Sequence, residues 1–172
     1  MVAPPVSVLT YRGFTLVELV MVLAVTAVIV GVGVSATRTY VARSQITESI
    51  ALATFVERHV ERAFARTGLP PADRSAAGLS VAGADHAGRY VDAIEVANGR
   101  VDLHFGSTAD AAIAGRTLSL TPFETADQKV VWICGNRNLG VGLQPLGFAG
   151  GSQETAPIVT PIEARYLPAA CR

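Results

Sequence analysis

The chain is short of the residues that most chemistry needs. It has two cysteines and three histidines, and its 14 Lys and Arg are balanced by 14 Asp and Glu. Two cysteines, Cys134 and Cys171, cannot by themselves make a four-ligand zinc site, and His59, His86 and His104 show no ligand spacing. A net charge of zero argues against a generic phosphate-binding surface and gives no indication of nucleic acid, although a small local basic patch fits within it. There is no Ser-His-Asp spacing, no His-Glu-x-x-His and no phosphate loop. Gly140-Val141-Gly142 lacks the strand–turn–helix context and the later glycine of a dinucleotide fingerprint, so it reads as loop, as does Gly150-Gly151. These residues suggest no enzyme and no cofactor.

What the chain has in excess is apolar sequence. Half of its 172 residues are hydrophobic, and the excess is concentrated in one run, GFTLVELVMVLAVTAVIVGVGV, from Gly13 to Val34. Counted from Phe14, this run is long enough to cross the ~30 Å hydrocarbon core of a bilayer as a helix at ~1.5 Å per residue. Glu18 is the odd residue in it. A carboxylate well inside such a helix costs roughly 2.5–3.5 kcal/mol, and less near the headgroups where Glu18 falls. A charge there is a functional signal that asks for a partner. An ordinary secretory signal peptide is the competing reading, with Val34-Ser35-Ala36 as cleavage site and Thr37 as the mature start. Against it, the run is long for such a peptide and carries Glu18.

The remaining chain reads as one domain behind that run. Met1 to Arg12, with Pro4 and Pro5, has no periodicity and is set aside as a leader. From Ile46 onward Ile50, Ala53, Val56, Val60 and Phe64 recur at three- and four-residue intervals, one apolar stripe of a helix. Thr67-Gly68-Leu69-Pro70-Pro71 stops it. The first half of the helix is apolar all round and the second is one-sided, as in a rod whose outer end packs on a globular head. A loop follows to Gly88. Tyr90–Val96 and Val101–Phe105 flank Asn98-Gly99, a strong hairpin signal, with His104 as a strand residue. Thr117–Thr121 and Lys129–Cys134 read as two more strands. The predicted fold is therefore α+β: a long N-terminal helix, its apolar half projecting, packed on a four-stranded antiparallel sheet.

Gly13-Phe14-Thr15-Leu16, then Glu18, then a long apolar helix resembles the N-terminal signature of the type IV pilin family. Tyr40-Val41-Ala42-Arg43-Ser44-Gln45 is similar to the run that follows in that family. Trp132-Ile133-Cys134 and Leu167-Pro168-Ala169-Ala170-Cys171 are similar to its C-terminal pattern. The helix-breaking proline common in the family falls here on Ser35, and Gly31 and Gly33 just upstream are the substitute flexible point. The resemblance implies a structural subunit of a type IV pilus, with cleavage between Gly13 and Phe14, N-methylation of Phe14, and Glu18 as an assembly residue drawn to a neighbour's Phe14 amine. It implies that residues 1–13 are leader, 14–36 the membrane and filament-core half of the helix, and 37–172 the head. Within the head it implies the second helix half over 37–67, a loop over 68–88, the sheet over 89–134 and a disulfide-closed loop over 134–171. A Cys134–Cys171 bridge is expected in a chain exported in this way, two free thiols being the alternative.

The implied partners are other copies in a helical homopolymer, a prepilin peptidase, an inner-membrane assembly platform, assembly and retraction ATPases, and an outer-membrane secretin. The implied location is the inner membrane before assembly and an extracellular pilus after it, serving adhesion, twitching motility or DNA uptake. A minor pilin or a type II secretion pseudopilin is the nearest alternative. A membrane-anchored periplasmic enzyme or binding module is a more distant one.

Overall fold

A computed structural model describes residues 13–137, 140–148 and 154–172, with the side chains of 32–36 outside the description. Residues 1–12 of the expected leader, 1–13, and Gly150-Gly151 lie outside the described residues. The chain divides into two units, residues 1–37 and 38–172.

A single helix, α1, runs from Leu16 to Thr67. It is continuous through Gly31, Gly33 and Ser35, so the glycines where a flexible point is expected are helical. Helix propensity explains this: a glycine costs only ~1 kcal/mol against alanine, far less than an interior proline at ~3 kcal/mol. Among the described residues no helix is long and apolar enough to cross a membrane. The described side chains of the apolar run reach from Leu16 to Gly31, ~24 Å of helix against a ~30 Å hydrocarbon core.

Within the second unit, α1 lays Ala42, Ile46, Ala53, Val56, Val60 and Ala63 into the core. Gly68 N–H still donates to Phe64 O at 2.8 Å, and Thr67 Oγ1 accepts from Leu69 N–H at 3.2 Å while donating to Ala63 O at 3.0 Å. These bonds close the helix where the Gly-x-Pro-Pro signal stops it. The following loop contains a short 3-10 helix, Gly83–His86.

The sheet order is β1 (Val91–Ala97), β2 (Arg100–Phe105), β3 (Thr117–Glu124), β4 (Val130–Cys134), all antiparallel, with a two-residue β5 (Gln144–Pro145) added to β3. Asn98 and Gly99 both take positive φ, 49° and 82°, as the two-residue hairpin turn requires. Register puts Ile94, Val96, Val101, Leu103, Leu118 and Leu120 on one face, and these join the α1 side chains in a single core. β3 extends past the expected Thr121 because β4 pairs with it from Leu120 to Glu124, while β2 pairs with it only as far as Leu120. Pro122, which has no N–H to give, therefore costs the β2–β3 ladder nothing.

The sheet is covered on its second face as well as on the face that meets α1. β3 is buried at six consecutive positions, Leu118–Phe123. Pro157, Ile158 and Val159 lie over Thr121, Phe123 and Ile133, enclosing a groove of about 580 Å³. This covering segment has no ladder of its own, so side chains bind the carbonyls beside it: Arg100 Nη1 to Ala156 O at 2.9 Å and Arg116 Nη1 to Pro161 O at 2.6 Å. On the core side, where Ile162, Leu167 and Cys171 join the α1 side chains, Arg43 Nη2 of the helix holds Arg165 O at 2.6 Å.

Glu57 is half-buried on α1, and that burial, with the Glu61 carboxylate one turn on, pushes its carboxyl from the ordinary 4.5 up to about 7. Between those values the folded chain holds a proton that the unfolded chain has released, so Glu57 makes stability fall as pH rises through that window. Glu57→Gln is expected to raise stability by roughly 1–2 kcal/mol at pH 8, allowing for solvent screening at a half-exposed site, and to change little at pH 4. Denaturant melts at the two pH values check this.

Candidate assembly segment and the disulfide-closed head

The first unit is built by its start. Thr15 precedes the helix and its Oγ1 accepts the Glu18 backbone N–H at 3.3 Å, while Leu19 N–H donates to Thr15 O at 3.2 Å as the first helical bond. Thr15 is thus an N-cap, and Thr15-x-x-Glu18 has the form of a capping box. Glu18 sits in the first turn, where the positive end of the helix dipole favours a carboxylate. Sequence reasoning assigned Glu18 to assembly and overlooked Thr15, although the Ser/Thr-x-x-Glu signal before an apolar run was legible.

Beyond that turn the helix presents apolar atoms in every direction. Phe14 is 74% exposed and Leu16 78%, and the large apolar side chains from Val17 to Val30 are all exposed as well. Past Glu18, the one polar side chain between Leu19 and Gly31, Thr26, satisfies its hydroxyl internally, donating to Val22 O at 2.9 Å and Leu23 O at 3.0 Å. A helix with no polar face is stable only when something apolar surrounds it.

Gly13 lies just before the cap, has no positive φ, and has no atom within 4 Å of where a Cβ would stand. Nothing among the described residues demands a glycine there.

In the second unit Cys134, at the end of β4, is joined to Cys171 with Cα atoms 4.7 Å apart. Both are buried. Gly135 makes the closure possible: its φ is +66°, and a Cβ on it would stand 2.6 Å from Cys171 O. Gly135 N–H donates to Ser119 O at 3.1 Å and Asn136 N–H to Cys171 O at 3.3 Å, which seats the C-terminus against the sheet. Asn136 also accepts Thr160 N–H at 3.0 Å. Among the described residues there is no group of three or more His, Cys, Asp and Glu that could hold a metal ion.

Comparison with known proteins meets this geometry at both units. Residues 42–172 match the family model for pilin, a bacterial filament protein, and residues 10–34 match the prokaryotic N-terminal methylation motif. The chain belongs to the pilin family. This pilin is 32% identical over 165 residues to a fimbrial protein of Neisseria meningitidis serogroup A, covering 94% of each chain. It is 30% identical over 162 residues to the type IV major pilin protein PilE1 of Neisseria gonorrhoeae, covering 94% of this chain and 87% of that one. Fimbrial protein EcpC of Eikenella corrodens is 30% identical over 166 residues, covering 94% and 90%. The similarity therefore spans the apolar helix and the disulfide-closed head together.

The bridge closes a loop with a sequence separation of 37 residues, about 4 kcal/mol in the chain-entropy account. Cys171→Ser is expected to destabilise the pilin head by about 2–5 kcal/mol in denaturant melts. Quantitative alkylation of both thiols in native extracellular protein would contradict the bridge.

Proposed function

We propose that this pilin is a structural subunit of a type IV pilus, a role of packing with no catalysis in it. The observation that carries the reading is the fully exposed apolar helix from Leu16 to Val30, ahead of a head whose own core is complete. Such a helix has to be buried by lipid or by copies of itself. In this reading residues 14–36 anchor the subunit in the inner membrane first and pack with neighbouring helices in the filament core afterwards. One surface then has two alternative environments. Because the same surfaces meet head to tail, the assembly is an open helical polymer outside the cell.

Processing follows from the start of that helix. A glycine that its own chain does not need is suited to a peptidase that must bring its catalytic groups against the backbone. Cleavage between Gly13 and Phe14 leaves a cationic amine on Phe14, which N-methylation preserves. The match to the methylation motif over residues 10–34 supports this step. The prepilin peptidase, the inner-membrane platform, the assembly and retraction ATPases and the outer-membrane secretin are the machinery that this reading requires. Adhesion, twitching motility or DNA uptake are the uses it allows the fibre.

Glu18 acquires a second role after cleavage. In a low-dielectric filament core a Phe14 amine without a counter-charge is costly, and a neighbour's Glu18 carboxylate offsets it. Glu18→Ala, expressed as the only subunit, is expected to enter the membrane, be cleaved at Phe14, fold its head and form the Cys134–Cys171 bridge. Filaments counted after shearing should be sparse or absent. Wild-type filament numbers in this variant would remove Glu18 from the assembly contact.

A further inference from the structure

The head is neutral as a whole but segregates its charge. Arg58, Arg62 and Arg66 are all exposed and fall four residues apart on α1, a stripe with ~6 Å steps and ~12 Å length. The acids that alternate with them turn elsewhere: Glu57 and Glu61 are half-buried, and Glu61 accepts Trp132 Nε1–H at 2.8 Å. The two ion pairs found among the described residues, Arg100–Asp102 and Arg165–Glu163, leave the stripe unpaired. Like charges at four-residue spacing destabilise a helix slightly. Arg66 in the last turn suits the helix dipole, but that effect fades within one turn and gives no reason for Arg58 or Arg62.

The balancing anions sit on the edge strand β1. By simple alternation Asp92 would share the core face with Ile94 and Val96. A register shift between Val91 and Ala93 instead buries Val91 and turns Asp92 outward and exposed. Glu95, on the outward side but half-buried, stands directly across from Asp102, a like-charge pairing that a sheet ordinarily avoids. Its carboxylate fills the space beside Gly83, in the 3-10 helix that carries the exposed Asp85. Arg89, the nearest cation in sequence, lies over the Tyr90 ring, 5.3 Å from its centroid, and forms no ion pair with these acids.

We propose that the Arg58–Arg62–Arg66 stripe of one subunit docks on the Asp85–Asp92–Glu95 edge of a second copy. The charge pattern dictates the polarity of the contact. Stripe against stripe and edge against edge both oppose like charges, so a two-fold pairing through either surface is disfavoured. Stripe against edge is attractive and, made once between successive subunits as in the filament reading, is heterologous and continues into an open polymer. Arginine suits the role, because its planar fork makes bidentate bonds to carboxylates. The proposal rests on the filament-subunit reading and names a contact between heads within it.

The test is a charge exchange, read as sheared filaments per cell. Arg62→Glu, Asp92→Arg and the double variant are each expressed as the only subunit, with Arg137→Glu, an exposed cation beside the Pro157–Val159 groove, as a control outside both surfaces. Formation of the Cys134–Cys171 bridge and the thermal melt of the head verify folding in each. Filaments are expected to fall at least about tenfold in each single variant, to return in the double variant, and to stay at parental numbers in the control. Wild-type numbers in Arg62→Glu, or a double variant as sparse as the singles, overturns the contact. Retained filaments that lose binding of a 30-base-pair DNA duplex would assign the stripe to a polyanion, which also overturns it. Failure of the parent itself to form filaments strikes at the filament reading and is thereby distinguished.

Discussion

Everything in this molecule depends on burying the surface of one helix. α1 spans 52 residues, and its two stretches make different demands. Over residues 38–67 the demand is met inside the chain, where a stripe from Ala42 to Ala63 closes onto the Ile94–Leu120 face of the sheet. Over residues 16–31 it is not met inside the chain, because apolar side chains point all round and each is exposed. At ~25 cal/mol per Å² of apolar surface, leaving such a segment in water is too costly to be a resting state. Lipid and like helices both relieve that cost, which is why a subunit of this design can exchange one for the other.

In the proposed assembly the head has to tolerate that exchange without help from its neighbours. The segment 154–171 closes the sheet with no strand of its own, only a terminal 3-10 turn: Pro157, Ile158 and Val159 lie over the far face, while Ile162, Leu167 and Cys171 join the core shared with α1. Three arginines from α1, β2 and the β2–β3 connection hold its carbonyls, Thr160 Oγ1 donates to Thr117 O at 2.6 Å, and the Cys134–Cys171 bridge fixes its end. Backbone groups that a ladder would ordinarily satisfy are satisfied here by side chains. The arginines that serve this purpose are different from those in the exposed stripe, so retention of the fold and attraction between subunits use separate charges.

Local signals made most of the fold legible in the sequence. The three- and four-residue spacing from Ile46 to Phe64, the Gly-x-Pro-Pro stop and the Asn98-Gly99 turn each act within a few residues and act as read. What escaped depends on distant partners. The second covered face is held by Arg100 and Arg116 reaching carbonyls 56 and 45 residues away, and Arg43 reaches one 122 residues away on the core side, none of which periodicity reveals. The bulge that turns Asp92 outward breaks the very alternation by which strands are recognised. Extension of β3 through Pro122 depends on β4 pairing with it as far as Glu124, where β2 no longer does. Of the assembly segment, the apolar run and Glu18 were evident, whereas the Thr15 cap was a written signal passed over in favour of the charge.

The central claim is that the apolar helix stays on the mature subunit and is the surface by which it assembles. The most direct measurement is N-terminal sequencing and intact mass of subunits sheared from the cell surface as filaments. The account predicts a chain that begins at Phe14, carries one methyl group and retains the whole run to Val34. A mature start at Thr37, with the apolar helix removed, would contradict it.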